Sequence, residues 1–248
     1  MKKFLKLIIL PLLDIIKRIL TVLKKYCLPD YIPVPPQNFI SPYERFVKEE
    51  EVNCFNHFKK YFKKSIFIDS QDKIRNYSIK RAIENDSNQE KYYLEFGVHV
   101  GISTKLFAKN LNTNIYGFDS FEGLKEDMLG HGIEKGRFNL GGKKPDLGKK
   151  VVLIKGWVQD TLPVFLKEKK PKINFVHMDL DTYESTKFVL KEIKTYLSKD
   201  SIILFDQIYN FSGWDVGEYK ALTEVFNEKE YKFLAFSKLG RQATIQIL

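Results

Sequence analysis

A chain of 248 residues is long enough for one large domain and a modest extension, and 44% hydrophobic with 14% aromatic residues indicates a packed core, which excludes a disordered protein. The two cysteines, Cys27 and Cys54, have neither the spacing of a metal site nor the number of a disulfide framework, which is typical of a reducing compartment. The formal net charge of +10 suits an anionic partner such as nucleic acid, an anionic membrane or an acidic substrate, and residues 1–30 hold seven lysines and arginines against two aspartates.

The N-terminal segment, residues 4–23, has the pattern of an amphipathic helix. On a helical wheel of about 100° per residue, its charged side chains share one arc and its leucines and isoleucines share the other. The longest uncharged run is residues 7–13, which is too short to cross a bilayer. We expect residues 1–28 to form a basic helix, kinked near Pro11, that lies on a membrane surface or packs against protein.

Residues 29–88 are expected to be a linker followed by a helical cap. Four prolines near the start of this region exclude a continuous helix. Ser41 and Pro42 then have the pattern of a helix start, with an acidic residue three positions after the serine. This first helix should continue to about residue 61, and a second is expected over residues 71–83.

From residue 89 onward, apolar strand-like runs alternate with helical segments, which is the pattern of a parallel sheet covered on both faces. The last two strand-like runs follow each other without a helix and predict an antiparallel hairpin. The expected fold is therefore an α/β Rossmann-like sheet, mostly parallel with a terminal antiparallel hairpin. Residues 122–150 follow no period, and a loop of this length is typical of a functional lid. The expected strands are residues 92–98, 114–119, 151–157, 173–180, 201–207, 232–238 and 242–248.

A buried strand, an acidic residue, a glycine turn and a helix start follow one another within residues 92–104. Ligands of open parallel sheets bind at the carboxyl ends of the strands, and glycines there let the backbone approach a ligand closely. The glycine spacing departs from the dinucleotide fingerprint, so a cofactor with a carboxylate and an ammonium group suits this turn better than a pyrophosphate. Glu95 would lie near the ammonium, although many such turns bind nothing. The predicted cofactor contacts are Glu95, Phe96, Gly97, Gly101, Ser103 and Thr104.

Two later strand ends would complete a nucleoside pocket. Asp119, with Ser120 beside it, ends the second strand about 20 residues after the glycine turn, where a carboxylate suits a ribose diol. Trp157, which follows Gly156 at the end of the third strand, has an indole ring that can stack on or border an adenine. The alternatives are a turn-capping role for the aspartate and core packing for the tryptophan.

Acidic residues also end the fourth and fifth strands. Asp179, Asp206 and Gln207 would offer three oxygen ligands to one side of a Mg²⁺ ion, leaving other positions for water and substrate. Without a cation, two carboxylates this close would repel each other and raise one pKa. Each aspartate could instead cap the helix that follows it. Asp179 is also counted among the cofactor contacts.

Five ordered motifs between residues 70 and 230 resemble the macrocin O-methyltransferase group. The resemblance implies a class I methyltransferase with a seven-stranded sheet, S-adenosylmethionine as donor, a divalent metal, a sugar hydroxyl as acceptor, and dimers or larger assemblies. Two positions depart from the pattern: Gln207 stands where related enzymes have Asp or Asn, and the turn after Gly97 lacks the usual Arg and paired glycines. The motifs are Glu-Phe-Gly-Val at 95–98, Gly-Phe-Asp-Ser-Phe-Glu-Gly-Leu at 117–124, Lys-Gly-Trp at 155–157 with Asp-Thr-Leu-Pro at 160–163, Asp-Leu-Asp-Thr-Tyr-Glu-Ser-Thr at 179–186 and Phe-Asp at 205–206.

The expected activity is methyl transfer from S-adenosylmethionine to a hydroxyl of a sugar or glycan, assisted by a divalent cation, as in polysaccharide biosynthesis. A general base must take the hydroxyl proton. The candidates, in order of preference, are Asp181, His131 and His99.

Other functions remain open. One is a catechol-type small-molecule O-methyltransferase, and another is a membrane-associated or RNA-binding protein with an inactive methyltransferase fold. Nucleic acid is not the expected partner, because the charge is concentrated in an apolar segment and no aromatic-basic module is evident. The expected location is the cytoplasm, with residues 1–25 in peripheral contact with the inner face of the membrane, and a homodimer is the expected assembly.

Overall fold

The computed structural model describes residues 12–23 and 40–248, and the chain divides into two units, Met1–Pro42 and Tyr43–Leu248. In the first unit, residues 12–23 are helical, and their leucine, isoleucine and valine side chains are 44–58% exposed. Across the described part of the chain, every helix is too short or too polar to cross a membrane. The predicted kink at Pro11 and the proline linker at residues 29–36 lie outside the described residues.

The second unit is built on one eight-stranded sheet. Its spatial order is β1-β7-β8-β6-β5-β2-β3-β4, and all neighbouring strands run parallel except for the pairs that β8 makes with β6 and β7. This confirms the predicted α/β sheet, mostly parallel with a reversed terminal hairpin. The strands are β1 Ile66–Ile68, β2 Tyr92–Phe96, β3 Ile115–Asp119, β4 Val151–Lys155, β5 Ile173–Met178, β6 Leu197–Phe205, β7 Tyr231–Ser237 and β8 Ala243–Ile247.

The expected number of seven strands was wrong by one. β1 has only three residues and extends the edge of the sheet, where Ile66 lies beside Ala235 of β7 in parallel register. Ile66 and Phe67 are 49% and 44% exposed, so this strand contributes little to the core. A three-residue apolar run next to a helix carries no period long enough to identify it as a strand.

Helices cover both faces of the sheet. On one face, Phe58, Leu162 and Val189 belong to a large buried cluster, and on the other, Ile74 and Phe107 belong to a smaller one. The first helix begins at the predicted proline. The helices of this unit are α1 Pro42–Phe62, α2 Gln71–Glu84, α3 Ile102–Asn110, α4 Val158–Lys169, α5 Tyr183–Ile193 and α6 Glu218–Val225, with short 3₁₀ turns at Lys194–Tyr196 and Glu228–Glu230.

The predicted lid loop between β3 and β4 folds back on itself. Backbone hydrogen bonds join Leu124 to Arg137 and to Gly136, both at 2.9 Å, and a bridge pairs Met128 with Ile133. The loop therefore has internal order of its own, and it lies beside the carboxyl ends of the strands, where the candidate site is found.

Candidate active site

A cavity of about 280 Å³, here called the central cavity, lies at the carboxyl ends of the middle strands. It collects side chains from the turn after β2 and from the ends of β3, β4, β5 and β6. Ten residues predicted for cofactor, metal or catalysis line it: Gly97, His99, Asp119, Ser120, Gly156, Trp157, Asp179, Asp181, Asp206 and Gln207. Six other predicted residues lie outside its lining: Glu95, Phe96, Gly101, Ser103, Thr104 and His131.

The turn after β2 approaches β5 so closely that only glycine fits at its first position. Gly97 has a φ of +86°, and a Cβ atom built on it would lie 1.8 Å from the backbone oxygen of Asp179. The backbone N–H of Asp179 also donates to the carbonyl of Phe96 at 2.9 Å. The ends of β2 and β5 are therefore in direct backbone contact beneath the cavity.

Asp119 fastens the two turns that border the central cavity. One carboxylate oxygen accepts the backbone N–H groups of Val98 at 2.8 Å and His99 at 2.7 Å, and the other accepts that of Phe121 at 2.7 Å. A carboxylate has about four acceptor positions, so three backbone bonds leave about one for a ligand. The turn-capping alternative is thus present in this structure, and a contact with a ribose stays a prediction.

Glu95 lies beneath the turn and is fully buried. One of its oxygens accepts hydrogen bonds from the Ser103 hydroxyl and, at 2.9 Å, from Nδ1 of His177, while the other has no partner among the described residues. These bonds fix the first turn of α3 against β5. Direct contact between Glu95 and a cofactor ammonium stays a prediction.

Asp206 has two cationic neighbours, Arg75 and His177. Its Oδ1 atom accepts hydrogen bonds from the Arg75 guanidinium at 3.2 Å and from the Gln242 amide at 3.1 Å, and it lies 3.7 Å from Nε2 of His177. Burial alone would raise the pKa of Asp206, but the neighbouring imidazole and guanidinium hold it below its usual value. The Asp206 carboxylate is therefore ionised.

His177 and Asp179 have strongly altered proton affinities. Burial opposes a charged imidazole, yet the carboxylates of Asp206 and Glu95 raise the pKa of His177 to about 10. Burial, and then the charge of Asp206, raise the pKa of Asp179 well above its usual value. Oxygen and nitrogen atoms of His177, Asp179 and Asp206 all lie within 4.8 Å of one another.

Asp181 is held by Gln207 at the rim of the central cavity. The amide of Gln207 donates a short hydrogen bond to Oδ1 of Asp181, and its backbone N–H donates to Glu218 at 2.9 Å. Burial and the charge of Asp206 raise the pKa of Asp181 to about 7. A carboxylate with this pKa is suited to accept a proton near neutral pH.

The two histidines proposed as rival bases occupy different places. His99 lines the central cavity and packs edge-on against Phe138, with ring centroids 5.4 Å apart. His131 lies outside it, where its ring contacts the guanidinium of Arg241 and stands 5.7 Å from the Phe211 ring. Burial, followed by the charge of Arg241, lowers the pKa of His131.

Several polar residues of the site were not predicted from the sequence: Arg75, His177, Glu218, Arg241 and Gln242. A signal existed for His177, because residues two apart on a strand point to the same face and Asp179 follows it at that spacing. The others come from α2, from the start of α6 and from the β7–β8 turn, and only the folded chain brings them to the strand ends.

The oxygen atoms of this region fit a divalent cation. Asp179, Asp206 and Gln207 line the same cavity, and Oε1 of Gln207 is buried without a hydrogen-bond partner among the described residues. Carboxylate and amide oxygens are the ligands that Mg²⁺ prefers. An unpaired buried amide oxygen beside two carboxylates is what such an ion would satisfy.

Comparison with known proteins agrees with this geometry. Residues 94–208 match the family model Methyltransf_24, described as a methyltransferase domain. The match covers a little under half of the chain. No curated protein sequence matches the chain. The matched segment runs from β2 to the residues just after β6, so it contains both groups of strand ends that surround the central cavity.

Solved structures share the fold. CalS11, a calicheamicin methyltransferase, is 24% identical over 84% of this chain and 94% of that chain, with a TM-score of 0.59. The apo structure of CalS11, named as a TDP-rhamnose 3'-O-methyltransferase, is 23% identical over 84% and 96%, with a TM-score of 0.52. The O-methyltransferase NovP is 18% identical over 71% and 79%, with a TM-score of 0.51.

The fold is therefore that of a class I methyltransferase. The domain and the fold support the predicted enzyme class, an S-adenosylmethionine-dependent O-methyltransferase. The narrower resemblance to the macrocin group stays a resemblance.

Proposed function

We propose that this protein transfers a methyl group from S-adenosylmethionine to a hydroxyl of a sugar or glycan, with the help of a divalent cation. The observation that carries the proposal is the meeting of two features in one cavity. The glycine turn, Asp119 and Trp157 border one part of the cavity. The oxygen-bearing side chains of Asp179, Asp181, Asp206 and Gln207 border the other part. The named activity of CalS11, a TDP-rhamnose 3'-O-methyltransferase, favours a sugar hydroxyl as acceptor, and NovP is named as an O-methyltransferase.

The donor would occupy the part of the central cavity between the turn and β4. Trp157 lies at this end, with the Lys125 ammonium 5.4 Å from its ring centroid. The adenine would border this indole, and the ribose would meet the remaining acceptor position of Asp119. The sulfonium methyl would then point toward Asp179 and Asp181.

The metal would be held by Asp179, Asp206 and Gln207, and when bound it would supply a Lewis acid that makes the acceptor hydroxyl more acidic. Asp181, a carboxylate in the lining of the central cavity, accepts the hydroxyl proton. The hydroxyl oxygen forms the new bond to the methyl carbon as the carbon–sulfur bond breaks. The amide of Gln207 holds Asp181 in position for this step.

The proposal is tested by incubating the protein with deuterated-methyl donor and candidate glycans and sugar nucleotides, followed by mass spectrometry. A mass gain on a sugar hydroxyl is expected. Asp179→Asn and Asp206→Asn should abolish it, as should chelation with EDTA, whereas Asp146→Asn in the exposed loop should not. Full turnover after chelation contradicts the metal role, and a calorimetric titration without heat for S-adenosylmethionine contradicts the activity itself. Methylation of a catechol but of no sugar would favour the catechol-type alternative.

We also propose that residues 1–25 contact an anionic membrane surface. Eight exposed apolar side chains on residues 12–23, together with a basic excess in the flanking sequence, support a helix lying in the plane of the headgroups. Full-length protein should float with vesicles that contain phosphatidylglycerol, and protein lacking residues 1–25 should not. Equal flotation of both forms would contradict the proposed membrane contact of residues 1–25.

A further inference from the structure

A second cavity opens beside the central one. It has a volume of about 440 Å³ and shares Asp206 and Gln207 with the central cavity. Its size is within the range of about 300–1,000 Å³ that is common for small-molecule sites. A molecule in this second cavity would therefore reach the same oxygen ligands that the proposed methyl donor approaches from the central cavity.

The lining of this second cavity is rich in carboxamides, and we call it the amide cavity. Gln71, Gln207, Asn210 and Gln242 all contribute to it. Gln207, Asn210 and Gln242 each already donate one amide hydrogen bond within the protein. Each amide oxygen can accept a hydrogen bond from a hydroxyl of a sugar. Oε1 of Gln242 is buried and has no hydrogen-bond partner among the described residues, so at least one acceptor there is unsatisfied.

Arg241 is the cation of the amide cavity. Within residues 12–23 and 40–248 it has no carboxylate at ion-pair distance, although the charges of Asp206 and Asp181 partly offset the lowering of its pKa by burial. Its guanidinium contacts the His131 ring and lies over the face of Phe211, 5.3 Å from the ring centroid. Asp206, in the same lining, is already engaged by Arg75. A partly buried guanidinium that no carboxylate contacts at ion-pair distance attracts an anionic oxygen group, which it can bind with two parallel hydrogen bonds.

A third cavity provides the contrast. It has a volume of about 230 Å³ and shares Asp181 and Gln207 with the central cavity. Five of its lining residues are acidic, against one lysine. Although burial raises the pKa of Glu218 and of Asp181, this acidic excess opposes the binding of an anionic ligand. The acidic residues are Glu126, Asp127, Asp181, Glu184 and Glu218. We therefore expect an anionic acceptor to bind in the amide cavity and not in this third cavity.

We propose that the amide cavity binds an acceptor sugar that carries an anionic group, a phosphate or a carboxylate, and that Arg241 pairs with this group. The assignment rests on the proposed function, because it places the acceptor of that methyl transfer. With the anionic group at Arg241, the amides hold the sugar hydroxyls and one hydroxyl faces Asp206 and Gln207. Arg241 is then a specificity-determining residue, which selects acidic acceptors over neutral ones.

The test uses full-length protein saturated with S-adenosylhomocysteine and three probes in calorimetric titrations: methyl glucoside, glucuronate and UDP-glucose. At least one anionic probe should bind tenfold or more tightly than the neutral one, and comparison of the two anionic probes distinguishes a carboxylate from a phosphate. Arg241→Gln should remove this preference, whereas Arg241→Lys should keep part of it. Lys238→Gln is the matched control, since this lysine lies in the same hairpin, is exposed and pairs with Asp69 at 2.7 Å.

Three results would overturn the assignment. They are equal affinity of wild-type protein for neutral and anionic probes, absence of measurable binding for all three, and equal loss of neutral and anionic binding in Arg241→Gln, which would indicate packing of His131 and Phe211 instead. If Arg241→Gln fails to fold, Arg241→Lys replaces it in the test: a reduced anionic preference supports the assignment, and an unchanged preference contradicts it. A wild-type protein that binds S-adenosylmethionine but shows no anionic preference contradicts only the acceptor assignment. A protein that does not bind S-adenosylmethionine contradicts the proposed function.

Discussion

The two sides of the site are built by different means. On the side of β2 and β3, the geometry is set by the backbone: Asp119 binds three backbone N–H groups, and Gly97 allows two strand ends to touch. On the side of β5 and β6, it is set by charged and polar side chains, with Arg75 and Gln242 bonded to Asp206. Substitutions on the first side should therefore change stability and donor binding, and those on the second should change catalysis and acceptor choice.

On the side-chain side of the site, Asp181→Asn should have the largest effect. The asparagine keeps the shape but removes the base, so kcat should fall by about 10²–10⁴. Donor affinity and thermal stability should stay unchanged, because the Asp181 carboxylate accepts no backbone N–H in the turns after β2 and β3, and asparagine tolerates the positive φ of this position. Steady-state kinetics and calorimetry measure both quantities. Asp215→Asn, on an exposed position of the neighbouring loop, is the control, and unchanged kcat in Asp181→Asn would exclude this residue as the base.

On the backbone side of the site, Gly97→Ala should destabilise the protein. The new methyl group would clash with the carbonyl of Asp179, and the residue would have to keep a positive φ. Overpacking costs about 1–3 kcal/mol and a left-handed non-glycine residue about 1–2 kcal/mol, so the free energy of unfolding in urea should fall by their sum. Gly136→Ala is the matched control, because its φ is +82° and no atom lies within 4 Å of its Cβ position. Equal losses in both variants would show that the strand contact does not matter.

Asp119→Ala should affect donor binding and stability together. Three backbone N–H groups lose their acceptor, and leaving such donors unsatisfied costs about 1–3 kcal/mol of unfolding free energy. Affinity for S-adenosylmethionine should fall as the turns loosen. Asp146→Ala removes a comparable turn aspartate that is exposed and accepts one N–H at 3.1 Å, and it should change neither quantity. Full donor affinity in Asp119→Ala would contradict the role of the turns.

His99→Ala should have the smallest effect. His99 lines the central cavity and packs against Phe138. Loss of that contact should lower kcat by less than about tenfold, which corresponds to a change of about 1.4 kcal/mol in the activation free energy. A fall in kcat as large as that of Asp181→Asn would instead make His99 the base. Paired kinetics of the two variants thus decide between the candidates.

The same contrast explains how much could be predicted from sequence. The geometry of the backbone side could be predicted from a short stretch of sequence, because a buried strand, a glycine and a helix start follow one another in the chain. The side-chain side was predicted only where an acidic residue ends a strand, as at Asp179 and Asp206. Arg75 and Arg241 reach the site from α2 and the terminal hairpin, and their orientation depends on packing that no local pattern encodes. β1 escaped prediction because three residues carry no period.

The touching ends of β2 and β5 have a mechanical consequence. Because the backbone at Gly97 lies directly against the carbonyl of Asp179, we expect β2 and β5 to move together and not to slide past each other. Any closing motion during turnover must then take place in the rim, in the segment between β3 and β4 and in the residues after β6. In the proposed reaction, the sheet and not the rim would then set the distance between donor and acceptor.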